Sequence, residues 1–362
     1  MSLESAFCQK RSFFFFVLCI HRQYSIRGLS IHLASGRYTH NTIIVLMIHV
    51  VKRNAAGTRR HIAHLLKTQN SIHRDLREDP ESQQYYPNRE SRPVWSGHYV
   101  KVKPEPITNP ILLAYNSSTV RELGIDEDTV NSADFLKIMS GDLSSSHTLE
   151  PWACGYAVSV MGNEILDPCG YGGQAYGDGR AISLGELERD EKKWEIQLKG
   201  AGTTPFSRNF DGRAVLRSSV REFLASHAMF HLGVPTTRSL SLIASKDMHV
   251  QRMWYEENLD EDKFTSRKYA PNRIVREKCA IASRVSTSFL RVGTVELFAR
   301  RARRKKNKEN QDHRTELTML LDYALRTEFS DREAGDYVGM LEVFAKRQAR
   351  LVTEWLRVGY VA

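Results

Sequence analysis

KWEIQLKGAGTTPFSRNFDGRAVLRSSVREFLASHAMFHLGVPTTRSLSL, residues 193–242, decides the fold. Trp194 to Lys199 reads as a strand, and Gly200-Ala201-Gly202 interrupts it. A loop carrying Arg208, Asp211-Gly212-Arg213 and Arg217 follows. Ser219-x-x-Glu222 matches a capping box, and Val220, Phe223, Leu224 and Ala228 continue at helical spacing. Gly233 and then Pro235 stop that helix, and Ser239 to Ala244 reads as the next strand. Strand, glycine loop, helix and strand in this order predict an α+β layout.

N-terminal to this stretch, Ala181 to Leu184 is a second strand-like run, joined to Trp194–Lys199 by a charged turn as a β-hairpin. A Gly-rich segment from Gly155 to Gly179 leads into it. Further out, Tyr99 to Lys103 alternates like a strand, and Ser117 to Leu123 reads as a short helix stopped at Gly124. Residues 75–98, with Pro80, Pro87 and Pro93, read as a linker. C-terminally, residues 246–273 have no clean period and read as an inserted loop. Two long helical patterns follow, Thr315 to Glu328 and Arg332 to Val358. A mixed lobe over 99–300 and the start of a helical lobe over 301–362 are expected.

Of 362 residues, 41% are hydrophobic and 26% charged, which suits a globular protein with a sizeable core. The longest apolar runs, Phe13 to Ile20 and Ile43 to Met47, fall far short of the roughly 20 residues of a spanning helix. The formal charge of +10 sits in residues 1–74, where eleven Lys and Arg face a single acid, Glu4. The remainder is close to neutral, which argues against a nucleic-acid partner for the body. An Arg-rich, acid-poor leader predicts a transit peptide and a mitochondrial location, with the cytoplasm as the alternative. A secretory signal would need small residues after the apolar run, where His21-Arg22-Gln23 stand. A leader mis-joined to the gene is a further reading. Five scattered cysteines without a C-x-x-C pair suit neither a disulfide framework nor a zinc site.

Gly177-Asp178-Gly179-Arg180 precedes a strand and fits either a tight turn or a loop that meets phosphate. Lys199, at a strand end beside glycines, is placed to meet a nucleotide phosphate, and Glu222 on the next helix is a candidate ion-pair partner. In the capping-box reading Glu222 instead satisfies a backbone N–H, and spacing leaves the two open. Arginines crowd the start of that helix, where a bound anion or carboxylate partners must offset them. Arg284 and Arg291 flank the alternating segment Val285 to Leu290, so a bend is needed for both to reach one ligand. The run Arg300 to Lys308 lacks interleaved aromatics and reads as a solvated helix end rather than a nucleic-acid site. His227 and His231, at i and i+4 without an accompanying acid, read as core or surface histidines.

The segments YGDGRAISLGEL, KWEIQLKGAG through RSLSL, and SRVSTSFLRVGTVELF together resemble the selenoprotein O family, with weaker similarity from VKPEPITNPILLAYN. The resemblance covers about residues 95–361 apart from the loop near 246–273. It implies a protein-kinase-like (pseudokinase) fold and transfer of AMP from ATP to Ser, Thr or Tyr hydroxyls of protein substrates. It implies an ATP-binding set of Gly177, Gly179, Arg180, Lys199, Asp211, Gly212, Arg284 and Arg291, with Glu222 paired to Lys199. This sequence departs from the family pattern in GYGGQAYGDGR, where a His-Gln-Phe-Gly stretch is usual, and at Ser286-Thr287, where Ala-Pro is usual. By the same resemblance the catalytic aspartate and the Mg2+ ligands belong after Ala362. A chain ending there is expected to expose Leu351, Val352, Trp355 and Leu356. The alternative function is then a pseudoenzyme that binds ATP or a partner without catalysis.

Overall fold

The computed structural model describes residues 62–66, 70–146, 148–156, 177–254, 273–303 and 313–360. Its N-terminal elements are α1 (Ile62–Leu65), α2 (Ser71–Asp75), β1 (Tyr99–Lys101), β2 (Pro110–Tyr115), α3 (Ser117–Glu122), α4 (Glu127–Val130), α5 (Ala133–Met139) and β3 (Trp152–Cys154). The central ones are β4 (Ala181–Arg189), β5 (Lys192–Lys199), β6 (Ala214–Val215), α6 (Leu216–His231), β7 (Arg238–Trp254) and β8 (Arg273–Ser286). Three helices follow, α7 (Val292–Arg303), α8 (His313–Glu328) and α9 (Tyr337–Arg357).

The strands form one antiparallel sheet in the order β1-β3-β4-β5-β8-β7-β2, with β6 on β8, and the α+β expectation holds. The period of two along β5 sets its faces. Trp194, Ile196 and Leu198 enter the main core with Ile182, Leu184, Leu240 and Ile281, under Phe135, Ile138 and Met139 of α5. Glu195, Gln197 and Lys199 therefore point to the opposite face. The β4–β5 turn is Asp190-Glu191, both at positive φ, a type I′-like geometry suited to a two-residue hairpin.

α6 ends as its sequence predicts. The Gly233 N–H bonds to Phe230 O at 3.0 Å and the Val234 N–H to Met229 O at 2.9 Å, with Gly233 at φ +79°, a Schellman motif. Its start differs from expectation. The helix begins at Leu216 after Val215, which supplies no side-chain cap, and the Ser219 hydroxyl is buried in the second turn without a hydrogen-bond partner. There is no capping box, because β6 runs straight into the helix and leaves no room for a Ser219 N-cap.

Other expectations are corrected. The leader boundary at 74 falls inside folded structure: Ile62 and Leu66 join the main core, while Ile72 and Leu76 pack with Tyr99, Trp152, Leu297 and Phe298. Residues 75–98 are not a linker. Val94 is core, and the Ser96 hydroxyl and Gly97 N–H both donate to the buried Glu316 carboxylate at 2.7 Å. The inserted loop near 246–273 is shorter than expected, since β7 continues to Trp254 and β8 starts at Arg273 across a bulge between Ala244 and His249. A boundary at 300 falls within α7. Arg300 and Arg301 there are buried, not solvated; Arg301 donates to the Val94 and Gly97 carbonyls and Arg300 pairs with Glu296. Residues 304–308 of that basic run lie outside the described residues, as do residues 1–61 of the leader. On α9, Val352 and Leu356 are exposed while Leu351 and Trp355 are half-buried. Among the described residues no helix is long and apolar enough to cross a membrane.

Candidate functional site

The polar face of β5 ends at Lys199, whose Nζ lies 2.7 Å from Glu222 Oε2 on α6. Arg284, opposite Gln197 in the β5–β8 register, reaches the other oxygen of the same carboxylate at 3.2 Å. Its second terminal nitrogen donates to Thr237 O at 2.7 Å. The ion-pair reading of Glu222 thus displaces the capping reading. Burial alone would raise the Glu222 carboxyl, but the Lys199 and Arg284 charges overcome it and hold the group below the ordinary carboxylate value. Two cations share one anion, so the trio keeps a positive charge. Lys199 remains a third exposed, and Arg284 Nε is buried without a partner.

Arg291 does not continue the strand of Arg284. β8 stops at Ser286, residues 287–291 turn, and Arg291 stands just before α7. Its guanidinium lies 3.1 Å from Asp178 Oδ1, while Asp178 Oδ2 accepts the Cys154 N–H at 3.1 Å. Asp178 is buried, and that burial raises its carboxyl despite the Arg291 charge. Lys199 also acts on Asp178 electrostatically, which brings the two ion pairs into one neighbourhood.

The glycines of the preceding loop are explained by packing within the chain. A Cβ on Gly177 would stand 2.5 Å from Phe206 Cγ, and one on Gly179 2.5 Å from Phe206 O. The hairpin entry therefore lies directly on the Thr204–Ser207 turn, where the Thr204 hydroxyl donates to Asp178 O at 2.8 Å. Arg180 is exposed. Gly212, at φ +63°, presses against Gly202, where a Cβ would meet the Gly202 carbonyl carbon at 2.1 Å. Asp211 beside it accepts from Arg252 at 2.7 and 2.9 Å. Carboxylate partners offset the arginines near the start of α6, Arg213 on Glu105 and Arg217 on Glu277.

The eight sequence-predicted residues thus fall into three adjoining groups: Lys199 and Arg284 on Glu222, Arg291 beside the 177–180 loop, and Asp211-Gly212 against Gly202. Sequence reading missed Asp178 as the partner of Arg291 and Arg252 as that of Asp211. Asp178 carried a faint signal between two glycines; Arg252 carried none, being 41 residues from Asp211. His227 and His231 stack edge to face at 4.5 Å, with His227 Nδ1 2.9 Å from Asn116 Nδ2. Among the described residues no group of three or more His, Cys, Asp or Glu is placed to hold a metal ion. The cluster carries net positive charge from Lys199 and Arg284 on one carboxylate, and the exposed Arg180 stands one residue before Ala181, the register partner of Lys199.

These features define a mixed α+β protein with a cationic cluster where its central strands meet a helix and a glycine-bounded loop. The family model described as Protein adenylyltransferase SelO matches residues 81–362, and the chain belongs to that family. It is similar to the protein nucleotidyltransferase YdiU of Methylobacillus flagellatus, 37% identical over 302 residues, covering 82% of this chain and 51% of that protein. It is also 38% identical over 301 residues to the protein of the same name from Rhodopirellula baltica, covering 81% and 48%. The chain spans about half the length of the curated relatives it matches.

Proposed function

We propose that this chain forms the ATP-holding part of a protein adenylyltransferase with a protein-kinase-like fold, a mixed N-lobe followed by the beginning of a helical C-lobe. The observation that carries the reading is the Glu222 carboxylate shared by Lys199 and Arg284. It fixes two cations at one point and leaves them an unneutralised charge for phosphate. In the transfer, the hydroxyl oxygen of a substrate Ser, Thr or Tyr bonds to the α-phosphorus. The bond from that phosphorus to the bridging oxygen breaks, pyrophosphate leaves, and the hydroxyl proton passes to a base. Lys199, Arg284, Arg291 and Arg180 are the groups that would hold the phosphate oxygens and stabilise the charge that builds on the leaving group. By resemblance the base and the Mg2+ ligands belong to a segment that follows the WLRVGYVA stretch in the family.

Two labels separate this reading from its neighbours. ATP labelled at the α-phosphate is expected to mark a protein hydroxyl, and ATP labelled at the γ-phosphate to mark none. Transfer of the γ label instead would establish kinase chemistry. The second reading is a nucleotide-binding pseudoenzyme; it predicts that ATP raises Tm with neither label transferred. Lys199→Ala is expected to weaken ATP binding by about 10–100-fold, equivalent to about 1.4–2.7 kcal/mol. Equal affinity would remove Lys199 from the site. The basic leader is proposed to direct the protein to mitochondria, and a fluorescent fusion of residues 1–61 that stays in the cytoplasm would overturn that.

A further inference from the structure

We infer that Arg252, on the outer arm of β7, is a positioning residue that sets the Asp211-Gly212 loop for nucleotide; this rests on the ATP reading above. The two groups come from different elements. Asp211 lies in the loop before β6, and Arg252 pairs with Val275 in the two-stranded ribbon that β7 and β8 form beyond their bulge. The guanidinium donates four hydrogen bonds, one to the neighbouring Gln251 O at 2.9 Å and three to the loop: to Asp211 Oδ2 at 2.7 Å, to Asp211 Oδ1 at 2.9 Å, and to Arg213 O at 3.1 Å. Asp211 Oδ1 in turn accepts the Arg213 N–H at 3.0 Å. One side chain thus grips both the carboxylate and the backbone that turns at Gly212.

A second link moors the same ribbon to the start of α6. The Arg217 guanidinium stacks on the Trp254 ring at 4.2 Å and pairs with Glu277 at 2.9 Å, both ribbon residues. From the other side Gly212 is seated on Gly202, three residues from Lys199. The loop is clamped between the ribbon and the lysine-bearing glycine turn.

An isolated surface ion pair contributes little to stability, and Asp211 and Arg252 are both partly exposed. Orientation and charge are a different matter. The two-pronged contact fixes the carboxylate plane. It also neutralises an anion that would otherwise repel the phosphates of ATP. Lysine offers no planar fork and cannot reproduce the three contacts to the loop. The expected signature is therefore a loss of ATP affinity with little loss of fold stability.

The test is an ATP titration by calorimetry on wild type, Arg252→Met, Arg252→Lys, Asp211→Asn, the Asp211→Asn/Arg252→Met double variant and Lys199→Ala. Hydrogen exchange of residues 203–213 is measured alongside, without nucleotide. Arg252→Met is expected to weaken ATP by about tenfold, as for a lost charge-assisted contact. Exchange in the loop rises, Tm of the free protein stays close to wild type, and Arg252→Lys does not restore affinity. The double variant is expected to match Asp211→Asn alone, because the arginine acts through the aspartate. Wild-type affinity in Arg252→Met overturns the proposal, and so does full additivity in the double variant, which would make Arg252 a direct ligand. If wild type binds no ATP, or Lys199→Ala binds as well as wild type, it is the ATP reading that falls. Loop exchange in Arg252→Met then decides whether Arg252 holds the loop at all: unchanged exchange overturns the positioning role.

Discussion

Glu222 is the residue on which most depends, because Lys199 and Arg284 lie on its two oxygens. Glu222→Gln would leave two cations facing each other in a partly buried setting. Loss of one member of a buried pair costs about 3–5 kcal/mol, and the partial exposure here lowers the expectation to about 1–3 kcal/mol. Urea unfolding at pH 7 measures it, and an unchanged midpoint would show that the trio is not coupled. The folded pKa of Glu222 lies below the ordinary value, so this contribution is full at neutral pH and is lost as pH falls through the depressed value. Glu195 has the opposite sign. Its carboxyl, buried on the polar face of β5, accepts the Ser183 hydroxyl at 2.5 Å and the Phe289 N–H at 3.3 Å. Burial first of all, then the nearby Glu186, raises its pKa to about 7. Folding therefore loses stability as pH climbs from the ordinary carboxylate value to about 7, by up to about 3 kcal/mol. Glu195→Gln keeps an acceptor for Phe289 and is expected to flatten that slope. A stability profile between pH 4.5 and 8 that matches wild type would refute it.

At the scale of elements, two glycines flank the same helix and fail differently when replaced. Gly233 closes α6 at φ +79° with open space around it, its nearest atom being Arg357 Nη2 at 3.5 Å from a built Cβ. Gly233→Ala is expected to cost only the left-handed backbone penalty, about 1 kcal/mol. Gly212, before α6, has both a positive φ and Gly202 backbone within 2.1 Å of a Cβ. Gly212→Ala must displace the loop, so it is expected to cost several kcal/mol by steric conflict and to abolish ATP binding. Equal thermal shifts in the two variants would contradict that distinction. The same elements show what the sequence could and could not disclose. The C-terminal stop of α6 was legible because Gly233 and Pro235 act locally, and the β4–β5 hairpin because alternation and turn residues are local too. The N-terminus of α6 was misread, since Ser219 and Glu222 have capping spacing but tertiary partners claim Glu222. Of the candidate site, spacing left Glu222 open between a cap and a partner for Lys199, and only the family resemblance implied the pair. The bond of Asp178 to Arg291, and the grip of Arg252 on Asp211, depend on long-range register that no local pattern encodes.

For the whole molecule, charge and proline content drew the folded boundary too late, because composition does not register which apolar residues are buried. Ile62, Leu66, Ile72 and Leu76 lie in a stretch dominated by basic and polar residues, yet each is almost fully buried against the sheet or α7 and α8. Ser71 binds them to the polar interior as well. Its N–H and hydroxyl donate to the two oxygens of Glu186 at 2.7 and 2.6 Å, and Asn70 accepts the Glu186 N–H at 2.8 Å. Lys193 completes the group at 3.2 Å from Glu186 and 3.0 Å from the Tyr323 hydroxyl on α8. Residues 62–76 thus tie the sheet to α8 although the family match begins only at 81. A chain starting at residue 81 would expose the surfaces those four aliphatic side chains cover, each worth about 1.5–3 kcal/mol before ordering costs. It would also leave a buried carboxylate with Lys193 alone, against a net domain stability of about 5–15 kcal/mol. The expected result is a Tm lower by about 10 °C or more, with dye-binding apolar surface at ambient temperature. Circular dichroism melting of the shortened chain beside the full chain reads it directly. If both melt together, residues 62–76 are an ornament on an independently stable sheet, and the folded body does begin where the family match does.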